Sequence, residues 1–238
     1  MHLRRALIFS YAEKYGGFLI GLASTMLISR LLGPADLGIF AIGMALVGLA
    51  AAVRDLGVST YIVQETDLTE EQIRSAFTVA MLAGVISGAL VIAAAIPAGH
   101  YYGDARVTYV VAILSLNFFI MPFGSISQAL LSREMRFDVL AWIRLLFAAM
   151  QGGVGAWLSW RGWGPVGLAW ASVAAMVSNA IISFAARGHS CRPVLNPLRL
   201  RRVVAVGGPA TAVAIADEVL ASAPELILGR AQGLADTG

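Results

Sequence analysis

Arg30-Leu31-Leu32-Gly33-Pro34-Ala35-Asp36-Leu37-Gly38 returns late in the chain as Arg230-Ala231-Gln232-Gly233-Leu234-Ala235-Asp236-Thr237-Gly238. Both copies read R-x-x-G-x-A-D-x-G, five identities in nine positions, and each follows a long apolar run. A polar turn after an apolar helix would explain the glycines and Pro34. It would not explain the shared Arg30/Arg230 and Asp36/Asp236. The spacing of 200 residues indicates an internal duplication. Since the second repeat has only begun by Gly238, the sequence reads as a fragment of a longer protein.

Composition points the same way. Hydrophobic residues are 58% and charged residues 13% of the chain, where a soluble domain carries about 45–50% and about 25%. The mean hydropathy of +0.78 is a surplus that a bilayer absorbs and a soluble core does not. A net charge of +3 invites a nucleic-acid reading, but no basic stripe with interleaved aromatics exists, so none is expected. One cysteine, Cys191, excludes an intramolecular disulfide framework. The first apolar run is too long for a cleavable signal peptide and is expected to stay as an anchor.

Seven apolar stretches reach membrane-spanning length, roughly Leu7–Leu32, Leu37–Val53, Ser75–Pro97, Val107–Leu131, Val139–Trp160, Gly164–Ala186 and Val203–Leu228. The expected fold is all-α, a polytopic membrane helix bundle: six helices over residues 1–200, then the first helix of a parallel second repeat over 201–238. The polar Asp55–Arg74 connection carries Thr69-Glu70-Glu71-Gln72, a helix start with acidic residues suited to the dipole. With the N-terminus in the cytoplasm, eleven arginines (4, 5, 54, 74, 133, 136, 187, 192, 199, 201, 202) fall inside and four (30, 106, 161, 230) outside. That bias fixes the expected orientation. Trp157, Trp160, Trp163, Tyr101 and Tyr102 then form a belt at the far interface. Six spans separate the two motif copies, so both face one side, as in parallel-repeat transporters.

Polar groups inside the spans are costly and are candidates for function. Tyr11, Lys14, Gly21, Thr25 and Ser29 fall within about 80° of one another on the first helix. Lys14, the one lysine, lies about 10 Å inside the span and can also snorkel to the headgroups beside Glu13. Arg144 shares a face with Gln151 and has the same alternative. Asn117 and Asn179 bind either a ligand or a neighbouring helix. Asp217 and Glu218 lie mid-span, where a carboxylate costs about 2.5–3.5 kcal/mol, and are candidates for ion coupling. No phosphate-binding G-x-x-x-x-G-K-[ST] loop, metal-spaced His/Cys cluster or nucleophile elbow exists, so neither an enzyme nor a cofactor is expected. Gly17-x-x-x-Gly21, Gly84-x-x-x-Gly88 and Gly152-Gly153-Val154-Gly155 read as sites of close helix contact.

Arg30 to Phe40 resembles the loop between the first two helices of polysaccharide-transporter flippases, in the multidrug/oligosaccharidyl-lipid/polysaccharide superfamily. Asp55-Leu56-Gly57-Val58 through Ile62-Val63-Gln64 is similar to the stretch after their second helix. Gln128-Ala129-Leu130-Leu131-Ser132-Arg133-Glu134-Met135-Arg136-Phe137 resembles their fourth-to-fifth loop, in the colanic-acid-exporter branch above all. The resemblance implies two helical lobes that rock about a central cavity in the bacterial inner membrane. It implies as substrate an undecaprenyl-pyrophosphate-linked oligosaccharide, moved from the cytoplasmic to the periplasmic leaflet, with membrane lipids and other polysaccharide assembly proteins as partners. On that reading Lys14 and Arg144 would hold the pyrophosphate, and Asn117, Gln151 and Asn179 would bond sugar or phosphate. A multidrug or cation exporter of the same superfamily would instead favour an acidic, aromatic cavity. A membrane-embedded glycan polymerase or ligase would carry a large far-side loop with catalytic Arg or His, where this chain has short loops.

Overall fold

A computed structural model describes residues 2–54 and 57–194, with isolated positions at 216 and 220; side chains are described from residue 14 onward, apart from those at 52 and 53. Its elements are α1 (His2–Leu31), α2 (Pro34–Arg54), α3 (Val58–Gln64), α4 (Glu70–Tyr102), α5 (Ala105–Ser115), α6 (Asn117–Arg133), α7 (Phe137–Trp160) and α8 (Gly164–Ala186). Among the described residues every regular element is a helix. Five stretches are long and apolar enough to cross a membrane: Pro34–Ala51, Glu70–Tyr102, Ala105–Arg133, Phe137–Trp160 and Gly164–Ala186.

Four sequence expectations are refined by the structure. The first expected span, Leu7–Leu32, forms α1 but is not among these five, because Lys14, Arg30 and the hydroxyl and glycine residues dilute its apolar content. The helix start expected at Thr69–Gln72 is present, so α4 begins at Glu70, ahead of the expected span Ser75–Pro97. Thr69 Oγ1 accepts from the Gln72 amide (3.3 Å) while Gln72 Oε1 accepts from the Thr69 amide (2.7 Å), a reciprocal cap. The fourth span is one apolar stretch, Ala105–Arg133, within which α5 and α6 meet at Leu116. The Asp55–Arg74 connection contains α3, because Val58, Tyr61 and Ile62 form an apolar face that buries against α4 and α6. The seventh expected span, Val203–Leu228, lies outside the described residues.

The bundle is packed in the manner of a membrane protein. Ser75, Ser87, Ser115, Ser127, Ser172 and Ser183 are buried, while Leu90 is 65% and Trp160 70% exposed. Small and hydroxyl residues sit at the helix seams and large apolar ones face outward, as association in lipid requires. The expected glycine contacts divide accordingly. A Cβ at Gly84 would stand 2.5 Å from the Phe118 carbonyl oxygen, and one at Gly88 would stand 2.9 Å from the Phe119 ring, so α4 meets α6 there. Nothing lies within 4 Å of a Cβ at Gly17 or Gly21, so that pair is no close contact.

Replacing Gly84 with alanine is expected to lower stability by about 2–3 kcal/mol, because the obstructing atom is backbone and cannot rotate away. Denaturant unfolding in detergent checks this. A loss below about 0.5 kcal/mol would mean that the two helices are not held at that distance.

Candidate functional site

α1 lies along α7, and the two run parallel. A Cβ at Gly16 would reach Leu145, one at Gly152 would strike Ser24, and one at Gly155 would touch Ile28. A cavity of about 310 Å³ opens beside this seam, between α1, α2, α7 and α8. Gly21 and Thr25 line it from α1, Leu37 and Phe40 from α2, Gln151 from α7 and Leu168 from α8. Thus the small, polar face of α1 borders a cavity, which explains why Gly21 has no close neighbour.

Lys14 is seven residues before Gly21, and Arg144 seven before Gln151. Seven residues are nearly two turns, so each cation is on its helix's cavity-side face, about 10 Å from the cavity residues. The level pairing of Gly16 with Leu145 puts the two cations at the same depth. Both side chains are exposed. The structure therefore brings Lys14, Arg144 and Gln151 to one face of one seam.

The remaining candidates are elsewhere. Asn117 is buried and donates from Nδ2 to Ser172 Oγ at 3.0 Å, joining α6 to α8. Asn179 Oδ1 accepts from Gln128 Nε2 at 2.7 Å, and Gln128 Nε2 also reaches Ser183 Oγ at 3.1 Å. Both asparagines hold helices together away from the α1–α7 cavity. Asp217, Glu218, Arg230, Gly233, Asp236 and Gly238 lie outside the described residues.

Arg30, Gly33, Asp36 and Gly38 build the turn from α1 to α2. Arg30 stands exposed in the last turn of α1, and Gly38 is buried. The Gly33 carbonyl accepts the Asp36 and Leu37 amides (3.0 and 3.2 Å). Asp36 in turn holds Arg106 Nη1 at 2.6 Å, while Asp104 takes the Arg106 Nε and Nη2. These bonds from Arg106 hold the Asp104 carboxyl below the usual range. The motif Asp is thus a clamp between the starts of α2 and α5, a partnership that motif reading did not foresee.

At the other end of the bundle, Arg133 donates to the carbonyls of Ile62, Val63, Glu65 and Thr66, closing the C-terminus of α3. Beyond α8, residues 188–194 fold back as a strap. Val194 donates its amide to Thr78 Oγ1 (2.9 Å), and Arg74 Nε donates to the Arg192 carbonyl (3.0 Å). The His189 ring sits between Phe77 and Phe184, with Nδ1 3.2 Å from Ser127 Oγ. Burial first, then the nearby Arg187 charge, push the His189 pKa down to about 4. The fold therefore favours the neutral ring. Its contribution to stability is intact above the ordinary pKa near 6.5 and is lost as pH falls from there toward 4. Protection of the Val194 amide from hydrogen exchange is expected to drop between pH 7 and 5. In the H189Q variant that drop should vanish, and an unchanged pH response would refute the assignment.

Comparison with known proteins agrees with this architecture. Residues 27–238 match a family model described as polysaccharide biosynthesis protein. A membrane protein encoded in the cps region of Klebsiella pneumoniae is 25% identical over 122 residues, 51% of this chain and 25% of that protein. The lipopolysaccharide biosynthesis protein WzxC of Escherichia coli is 20% identical over 124 residues, 52% of this chain and 25% of its own length. Among solved structures, a MOP superfamily transporter from Pyrococcus furiosus superposes with a TM-score of 0.57 at 20% identity, over 87% of this chain and 51% of that one. A multidrug resistance MATE family transporter of the same superfamily gives 0.52 at 19% identity, over 90% and 51%. The chain thus spans about half of each solved transporter, and the matched stretch about a quarter of each curated relative. The fold is that of the MOP transporters, and the chain is a multi-pass membrane protein belonging to the polysaccharide biosynthesis protein family.

Proposed function

We propose that this protein is a flippase that exports undecaprenyl-pyrophosphate-linked oligosaccharide from the cytoplasmic to the periplasmic leaflet of the bacterial inner membrane. Residues 1–200 are its first helical bundle and 201–238 the opening of a second, with the N-terminus in the cytoplasm. The two bundles rock to expose a shared cavity alternately to each side. The observation that carries this reading is the pair of cations, Lys14 and Arg144, level with each other and about 10 Å along the same helix faces from a cavity that presents Gln151 and Thr25. A pyrophosphate carries several negative charges; a guanidinium grips them with paired bonds and an ammonium as a point charge. Hydroxyl and amide side chains above it suit sugar hydroxyls. Asp217 and Glu218 are the proposed ion-coupling pair, and other polysaccharide assembly proteins the proposed partners.

The MATE family relationship favours one rival, a multidrug or cation exporter. Such a cavity would hold carboxylates and aromatics, whereas the described lining of this one has Phe40 and no carboxylate, with the two cations about 10 Å along the same helix faces. The deciding experiment reconstitutes the full-length protein in vesicles and offers it a lipid-linked oligosaccharide or an organic cation. Transbilayer movement of the first alone supports the flippase. Movement of the cation alone establishes the rival.

A further inference from the structure

Two cavities that the transport reading does not use meet on the outer side of α6 and α8. One is an apolar groove of about 570 Å³, lined by Phe119, Ile120, Phe123, Val177, Ile181 and Phe184. From Val177 to Ala185 it follows α8 for about 12 Å. The other cavity, also about 570 Å³, lies at the arginine-rich end of the bundle and presents Glu70, Arg187, His189 and Ser190. Phe184 lines both. Cys191, at the end of the groove, has its sulfur 3.9 Å from His189 Nε2, so the two spaces adjoin at the strap.

We infer that this composite space binds a zwitterionic, amine-bearing phospholipid, its chains in the α6–α8 groove and its headgroup between Glu70 and Arg187. The groove runs along the membrane-spanning α8 and offers no hydrogen-bonding partner but the Cys191 thiol, so its occupant there is apolar. The cavity at its end offers one acid and one base. Glu70 has no side-chain partner among the described residues. Arg187 spends Nε on Glu134 (2.7 Å) and Nη1 on the Gly188 carbonyl (2.9 Å), which leaves Nη2 for a phosphate. A primary ammonium bonds the Glu70 carboxylate while the phosphate meets Arg187. A purely anionic headgroup would meet Glu70 as a like charge, and a quaternary ammonium cannot donate to it. A packed helix would fill the groove but leave the charged cavity unused. This inference does not depend on what the protein transports.

The test is native mass spectrometry of the delipidated full-length protein, titrated with phosphatidylethanolamine, phosphatidylglycerol or phosphatidylcholine of matched chains. The wild type is expected to bind phosphatidylethanolamine about fivefold more tightly than either alternative, the scale of one exposed ion pair. E70Q should erase that preference, and A185W, which fills the groove from an exposed position, should weaken all three lipids. Equal binding of the three lipids by the wild type, or unchanged binding by A185W, would overturn the proposal. A photocrosslinker placed at Ile181 gives an independent readout. Capture of lipid supports the site, and capture of another segment of the protein in place of lipid refutes it.

Discussion

The full-length double variant K14A/R144A is expected to move lipid-linked oligosaccharide at least ~100-fold more slowly than the wild type. Each cation supplies one charge-assisted contact to the proposed pyrophosphate, worth about 1.5–3 kcal/mol apiece. Losing one costs roughly ten- to a hundredfold, and losing both removes the site's entire cationic pair. Both side chains are exposed, so the thermal midpoint should hold within a few degrees. K14R and R144K keep the charge and should retain most activity, with R144K the weaker because an ammonium cannot grip a phosphate with two parallel bonds. A double variant that folds and transports at the wild-type rate would remove the cationic cavity from the mechanism. A variant that loses transport only along with its folded state would point to a structural role for the pair.

Arg133→Ala is expected to be the most damaging single change to the fold, lowering stability by about 3 kcal/mol. One guanidinium satisfies four carbonyls at the end of α3. An unsatisfied buried carbonyl costs about 1–3 kcal/mol, reduced here because part of the cluster is reached by water. α3 has only two turns and cannot stay ordered on propensity alone. Its Val58, Tyr61 and Ile62 would then leave the cluster they share with Phe77 and Ile126. Arg133→Lys should recover less than half of the loss, since three rotating N–H donors on a point charge cannot span four acceptors. Unfolding in denaturant and proteolysis at residues 57–66 would both report the change. An R133A protein as stable and as protease-resistant as the wild type would show that α3 is held by its apolar face alone.

Some of this molecule follows directly from its sequence. Apolar content far above that of a soluble domain, with breaks at Gly33-Pro34 and Arg161-Gly162, makes a polytopic helix bundle unavoidable, because only helices satisfy a backbone in lipid without neighbours. The repeated R-x-x-G-x-A-D-x-G motif and the Gln128–Phe137 run identify the family without any contact information. The faces of α1 and α7 are also legible, since 100° per residue puts Lys14 with Gly21 and Arg144 with Gln151.

Tertiary structure alone decided which faces meet. Helical period gives a side chain its direction but neither its depth nor its partner. Thr25 and Gln151 border one cavity because α1 and α7 run parallel with Gly152 against Ser24. Asn117 and Asn179, just as polar, are turned toward Ser172 and Gln128 and serve as fasteners. In a bilayer the hydrophobic effect does not sort polar side chains between a cavity and a helix seam, since either burial satisfies them. Close packing at small residues makes that choice, and it depends on pairs of residues far apart in the chain.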